Sequence, residues 1–368
     1  MNTFAHAGPR PSRRLVSGCA GLAAGMALLA GCGVQAPRTG EKELRIQRVW
    51  PEPPNAPRYV YETALRSLAD IKPETEQERL QRQLTGRNAV PSDPVFRKPA
   101  AIAARKGRIY VADPPTSSVV VFDVARRSIF RMGLREPNQV KKPVSLAIDG
   151  RDRVYVLDAQ ARQVLVFDAL GLFQFSVGDP KVLRQPAGVA VSPDGARIYV
   201  IDRGSVDEDD HRVLAYGPDG KEIFRLGPRG KGPGQFNIPL AASVNRDGTL
   251  LVLDSGNFRV QSFDGDGRHR QSFGGVGTEI GRFSRPRSIA SDHDGNIFVS
   301  DASFNNVQIF DPEGRLLMWI GRHDLADGPG QFGLLAGLAT DETGRLYVTD
   351  TYHGKIEVYR RAVPGDLQ

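Results

Sequence analysis

Short apolar runs closed by aspartate recur along most of the chain: "RIYVAD" at Asp113, "RVYVLD" at Asp158, "RIYVID" at Asp202, "LLVLD" at Asp254, "NIFVSD" at Asp301 and "RLYVTD" at Asp350. The steps between them are 45, 44, 52, 47 and 49 residues. Runs of this length, rich in β-branched and aromatic residues and bounded by turn formers, predict strands. Ten residues after the aspartate a second run closes in five of the units, at Asp123, Asp168, Asp264, Asp311 and Arg360. The third unit closes at Gly217, because "GSVDEDD" lengthens its loop. Each aspartate-ended run is preceded by another apolar strand, entered through "KPAAIA", "KPVSLA", "QPAGVA", "IPLAAS", "RPRSIA" or "LLAGLA". Turns such as Asp149-Gly150, Asp194-Gly195, Asp247-Gly248 and Asp294-Gly295 join those two strands. A fourth strand, such as "LFQFSVG" or "EIFRLG", follows turns at Gly171, Gly220, Gly267 and Gly314.

Four antiparallel strands in a repeat of this length form a propeller blade, so the expected class is all-β, a six-bladed β-propeller over residues 96–362. The last unit ends near "KIEVYRR" without a fourth strand of its own. The stretch "PRYVYETALRS", residues 57–67, supplies one and is expected beside residues 355–360, closing the ring and leaving few open strand edges. Between this strand and the first blade, residues 75–86 predict a short surface helix, with a Thr75 to Glu78 capping box, Leu80 and Leu84 one turn apart, and a stop at Gly86.

The amino terminus has a different pattern. Arg10, Arg13 and Arg14 precede an apolar run from Leu15 to Ala30 that is short for a membrane span, which predicts a signal peptide over residues 1–31. The "LLAGC" ending at Cys32 resembles the lipobox of bacterial lipoproteins, which implies that Cys32 is lipidated and begins the mature chain. Cys19 lies inside the apolar run, with too little hydrophobic sequence before it. Residues 32–56, with Pro37, Pro51, Pro53 and Pro54, are expected to form an extended tether, and residues 57–368 the propeller. Gly33 stands where an Asp favours inner-membrane retention in enterobacterial lipoproteins, so the expected location is the cell envelope, at the outer membrane.

Composition narrows the chemistry. The 40 glycines and 26 prolines fit a turn-rich β protein. The net charge of +7 shrinks once residues 1–31 are set aside, leaving 46 basic residues against 42 acidic ones, too even a balance to argue for nucleic acid. A single mature cysteine, committed to lipid, leaves no intrachain disulfide, cysteine-ligated zinc, iron–sulfur cluster, thiol nucleophile or CxxCH haem.

The units resemble NHL repeats, with "P..[IVL]A.D..G.[IL]YV.D....RV.VF...G" visible across residues 96–362 and "G.GPGQF"-type entries at Gly230–Phe236 and Gly328–Phe332. With the lipobox and the Pro-rich stretch, the whole resembles a bacterial NHL-repeat lipoprotein. Enzymes share this architecture, among them peptidyl amidoglycolate lyases, gluconolactonases and relatives of strictosidine synthase. In the lyases, the resemblance implies a zinc ion held by histidines lining the channel. The matching entry pairs here are Ala100-Ala101, Val144-Ser145, Ala187-Gly188, Leu240-Ala241, Arg287-Ser288 and Ala336-Gly337, none of them His, Asp or Glu. The mature histidines, His211, His269, His293, His323 and His353, are scattered among loops. No cofactor is expected on this reading.

The six strand-ending aspartates are expected to brace loops through backbone amides. Tyr110, Tyr155, Tyr199, Phe298 and Tyr347 are expected to fill the wedges between blades. The connections between blades carry Arg97, Lys98, Lys141, Lys142, Arg184, Arg285 and Arg287 near the entry prolines, which places positive charge at one channel mouth and favours an anionic group. Phe258, Phe304 and Tyr352 are expected on the same face as stacking area. The leading expectation is a non-catalytic propeller that binds a protein, peptide or polysaccharide partner through this loop face. The alternative is a metal-dependent lyase or hydrolase using loop ligands such as Asp207, Asp210 and His211. RNA binding, as in animal NHL proteins, conflicts with export.

Overall fold

The structure, a computed structural model, describes residues 48–86, 91–205, 207–364 and 366. The expected signal peptide, Cys32 and residues 33–47 of the expected tether lie outside the described residues. From Ala101 onward the chain forms six antiparallel sheets, built in sequence order from the innermost strand outward. Blade one is typical, with strands Ala101–Arg105, Arg108–Asp113, Ser118–Asp123 and Ser128–Met132. Blades two to five begin at Pro143, Pro186, Pro239 and Pro286. Blade six takes three strands from the carboxyl-terminal part of the chain, Leu335–Thr340, Leu346–Asp350 and Lys355–Arg361, and its fourth, Tyr59–Leu65, from the amino-terminal part. The closing strand pairs antiparallel with Lys355–Arg361, Tyr59 opposite Arg361 and Leu65 opposite Ile356.

The ring is a chain of cores between blades. Six apolar clusters each straddle two consecutive blades, and one of them joins blade six back to blade one through Tyr347, Ile356, Ile102 and Val111. The repeated rings lie there as expected: Tyr110, Tyr155, Tyr199, Phe298 and Tyr347 each pack into a cluster. Phe236, Phe283 and Phe332 come from the entry loops of blades four to six and are fully buried, each adding about 1.5–3 kcal/mol of apolar transfer. Inner strands approach closely around the tunnel. A Cβ on Gly188 would lie 2.8 Å from the Leu240 carbonyl oxygen, and one on Gly337 would lie 2.9 Å from the Ala101 Cα.

Five of the six strand-ending aspartates act as clamps on two backbone amides. The entry residue of the blade, proline in five of six, has no N–H to offer the ladder or, as Leu335, sits at a bulge, so the two amides before it need another acceptor. The Asp113 carboxylate accepts from the Arg97 and Lys98 amides at 3.0 and 2.8 Å. Asp158 holds Lys141 and Lys142, Asp202 holds Arg184 and Gln185, Asp301 holds Ser284 and Arg285, and Asp350 holds Gly333 and Leu334 in the same way.

Two local outcomes complete the picture. The helix spans Glu76–Thr85, with Thr75 as N-cap, a capping box closed by Glu78, and Gly86 left-handed at φ 67° as C-cap. The expected tether ends earlier than Pro57. Val49–Trp50 forms a fifth strand on the closing strand, and Trp50 stands edge-on to Tyr359 at 5.2 Å. Proline content suggested extension, but the indole contact holds this segment on the ring.

Candidate functional site

The tunnel through the ring is lined by inner strands whose side chains are small, aliphatic or hydroxylated, apart from Arg287 at one end. Its hydroxyls serve the fold: Ser145 accepts from the Val189 amide, Ser288 from the Leu338 amide, and Ser243 pairs with Ser291 at 2.9 Å. At the end where blades connect, the tunnel widens into a cavity of about 680 Å³.

Five cationic side chains line this mouth: Lys98, Lys142, Arg184, Arg203 and Arg287. They converge because the clamps fix the backbone beneath them. Lys98, Lys142 and Arg184 each donate an amide to a buried aspartate, and Arg203 directly follows Asp202. Among the described residues no carboxylate pairs with Lys98, Lys142, Arg203 or Arg287, and Arg184 reaches only Asp210, at 4.0 Å. The Arg203 Nε donates to Gln185 Oε1 at 3.2 Å. Desolvation pushes the Arg287 guanidinium below the ordinary arginine value, and the charges of Arg285 and Arg203 push it further. Repulsion of this kind around Arg287 marks a place that an anion would relieve.

Of the seven basic residues expected here, Lys98, Lys142, Arg184 and Arg287 line the cavity, whereas Arg97, Lys141 and Arg285 stand exposed beside it and serve the clamps through their amides. Arg203 was missed. The signal was available, since the position after the strand-ending aspartate faces the cavity in four blades, as Pro114, Ala159, Arg203 and Thr351.

The three aromatic candidates do not line the cavity. Phe258 packs against the core between blades four and five, Phe304 is half-buried, and Tyr352 is exposed but lies over Gly333 and edge-on to His353 at 5.0 Å. Loop position placed them on the right face, but packing turned them away from the mouth.

The blade-three insertion sits beside Arg184, and its histidine is structural in character. His211 is fully buried, its Nδ1 accepts from the Ile238 amide at 3.0 Å, and its Nε2 faces the Ser205 carbonyl at 3.0 Å. It replaces the second backbone amide contact that Asp254 would otherwise make, leaving Asp254 with the Asn237 backbone amide and with the Asn257, Arg259 and Gln261 side chains. With both ring nitrogens engaged and Asp210 accepting from the Ser205 amide, Asp207, Asp210 and His211 are not arranged as a ligand set. Among the described residues no three His, Cys, Asp or Glu side chains gather in a metal-binding group.

No family model matches this chain, and no curated protein matches it in sequence. Solved structures do. A protein of unknown function from Bacteroides thetaiotaomicron matches with a TM-score of 0.59 at 17% identity, over 74% of this chain and 71% of its own. A gluconolactonase from Xanthomonas campestris matches with a TM-score of 0.55 at 16% identity, over 82% of this chain and 98% of its own. A streptogramin B lyase matches with a TM-score of 0.53 at 13% identity, over 73% of this chain and 94% of its own. These likenesses show a shared fold, the six-bladed propeller, and shared fold does not carry function across.

Proposed function

We propose that this chain is an envelope-anchored propeller of the NHL type that performs no chemistry itself and binds a protein, peptide or polysaccharide partner through an anionic group seated at the channel mouth. One observation carries this reading: five cations line a cavity of about 680 Å³ and four of them have no carboxylate partner among the described residues. Buried carboxylates hold the backbone under these side chains, so little ordering entropy is lost when a ligand arrives. The low-dielectric tunnel wall strengthens the field at the mouth. The anchor belongs to the same reading, with lipid on Cys32 holding the protein at the outer membrane.

The test uses a fluorescein-labelled hexaglutamate peptide as the probe. Its anisotropy is expected to rise on the parent protein at low salt and to fall back in a variant with Lys98, Lys142, Arg203 and Arg287 all changed to Ser. Equal affinity for the two proteins would remove the mouth as the site. Changing Cys32 to Ser is expected to release the protein from membranes, and continued attachment would refute the anchor. The competing reading is a metal-dependent lyase or hydrolase, the class to which some proteins of this fold belong. Stoichiometric zinc or calcium retained through purification would favour that enzyme over the binding module.

A further inference from the structure

The chain has two tryptophans, and both line one groove on the outer flank of the ring, well away from the mouth in composition: the two cavities share no residue. The groove, about 720 Å³, lies between the Trp50–Ala56 segment, the outer strand of blade five, Leu316–Ile320, and the loop Pro329–Gln331. Trp50 is fixed by the Tyr359 ring and by Gly330, where a Cβ would come within 2.4 Å of the indole. Trp319 lines the same groove and is 48% exposed. Its exposed ring gives the groove a broad flat apolar face beside that of Trp50.

The remaining lining is charged. Arg48, Arg58 and Arg322 face the groove, all exposed, and none has a carboxylate partner among the described residues; Glu52 is the one acid there. Two flat apolar faces flanked by three unpaired guanidinium forks define a ligand with rigid rings and several carboxylates. We infer that this groove binds an acidic oligosaccharide, with pyranose C–H faces against Trp50 and Trp319 and uronate carboxylates bidentate on the arginines. A neutral sugar would leave the arginines without partners. A flexible acidic peptide would satisfy them but would present no rigid ring face to the indoles.

Because both fluorophores sit here, intrinsic tryptophan emission reports this groove and not the mouth. Tetragalacturonate is expected to change that emission saturably, and maltotetraose to bind about tenfold or more weakly. Changing Arg58 and Arg322 together to Gln, which keeps both indoles, is expected to weaken tetragalacturonate about tenfold or more with the melting temperature unchanged. Trp319→Ala is expected to abolish saturable binding by calorimetry. The variant with four mouth cations changed to Ser is expected to keep the full response, so the two sites fail or stand separately. No saturable change with tetragalacturonate, equal affinity for maltotetraose, an equal response to hexaglutamate, or loss of the response in the mouth variant would each overturn the inference.

Discussion

The two faces of the ring carry similar charges and use them in opposite ways. On the face formed by the turns between first and second strands, arginines meet carboxylates at close range. Arg153 pairs with the buried Asp149 at 2.7 Å, Arg105 and Lys106 both reach Asp152 at 2.7 Å, Arg345 reaches Glu62 of the closing strand at 2.7 Å, and Arg361 spans Asp292 and Asp294 of the neighbouring blade. On the opposite face, the clamp aspartates accept backbone amides and, in Asp202 and Asp254, the Arg212 and Arg259 guanidinium groups, so the cations lining the mouth are left without them. One face uses its charges within and between blades, and the other leaves four of the five cations at its mouth without a carboxylate among the described residues. Counting lysines and arginines does not separate these cases; following each carboxylate to its acceptors does.

The largest expected effect strikes the paired face. Asp149 accepts from Arg153 Nε, from the Tyr155 hydroxyl and from the Arg151 and Arg153 amides. Asp149→Ala strands these groups in a buried place, and denaturant unfolding is expected to show a loss of about 3 kcal/mol. A loss as small as a surface substitution gives would dissolve the contrast between the faces. The mouth variant lacking Lys98, Lys142, Arg203 and Arg287 is expected to bind hexaglutamate about tenfold or more weakly, equivalent to about 1.4 kcal/mol, with its unfolding midpoint nearly unmoved. In the parent, that binding is expected to fade between 0.15 and 1 M salt, as the screening length drops from about 8 Å to about 3 Å.

Acid sharpens the comparison further. Burial works to raise Asp152, but Lys106 and Arg105 outweigh it, and Arg361 holds Asp294 down, so both folded values lie below the ordinary 3.8. Groups depressed in the folded state stabilise it above their unfolded value and lose that contribution as pH falls through the lower folded value. Thermal unfolding is therefore expected to turn downward below about pH 4, and an Asp152→Asn, Asp294→Asn double variant to lose part of that slope. An identical acid limb in the double variant would assign the slope to other carboxylates. Smallest of all, Glu62→Gln opens a pair about one-third exposed on both sides and is expected to cost about 0.2–1 kcal/mol.

The clamps show how far repetition in sequence carries and where it stops. Asp254 and Asp350 occupy the same place in their blades, yet burial leaves Asp254 raised. For Asp350, His353 and the Gly333 and Leu334 amides overcome burial and hold it low. Asp350 has His353 beside it, whereas the second amide next to Asp254 goes to His211, from a loop inserted in the previous blade. Period and turn residues made the blades, the aspartate clamps, the closing strand and the helix legible, because each depends on neighbours at fixed offsets. The Val49–Trp50 strand, the retreat of Phe258 from the mouth and the placing of Trp50 and Trp319 in one groove depend on packing across blades, for which no local spacing exists. Arg203 lies between these cases: its repeat position was visible, but not that this position faces the cavity.

The pairing of Tyr59–Leu65 with Lys355–Arg361 also sets a schedule. A chain made from its amino end holds this strand early, and its partner emerges only after the five blades between them. Until then blade six is missing three strands and the wedge beside blade one has no opposite wall. Early blades can assemble as they appear, but the last contact to form spans the whole ring, so a product that stops before Lys355 retains folded pieces and never becomes a closed circle.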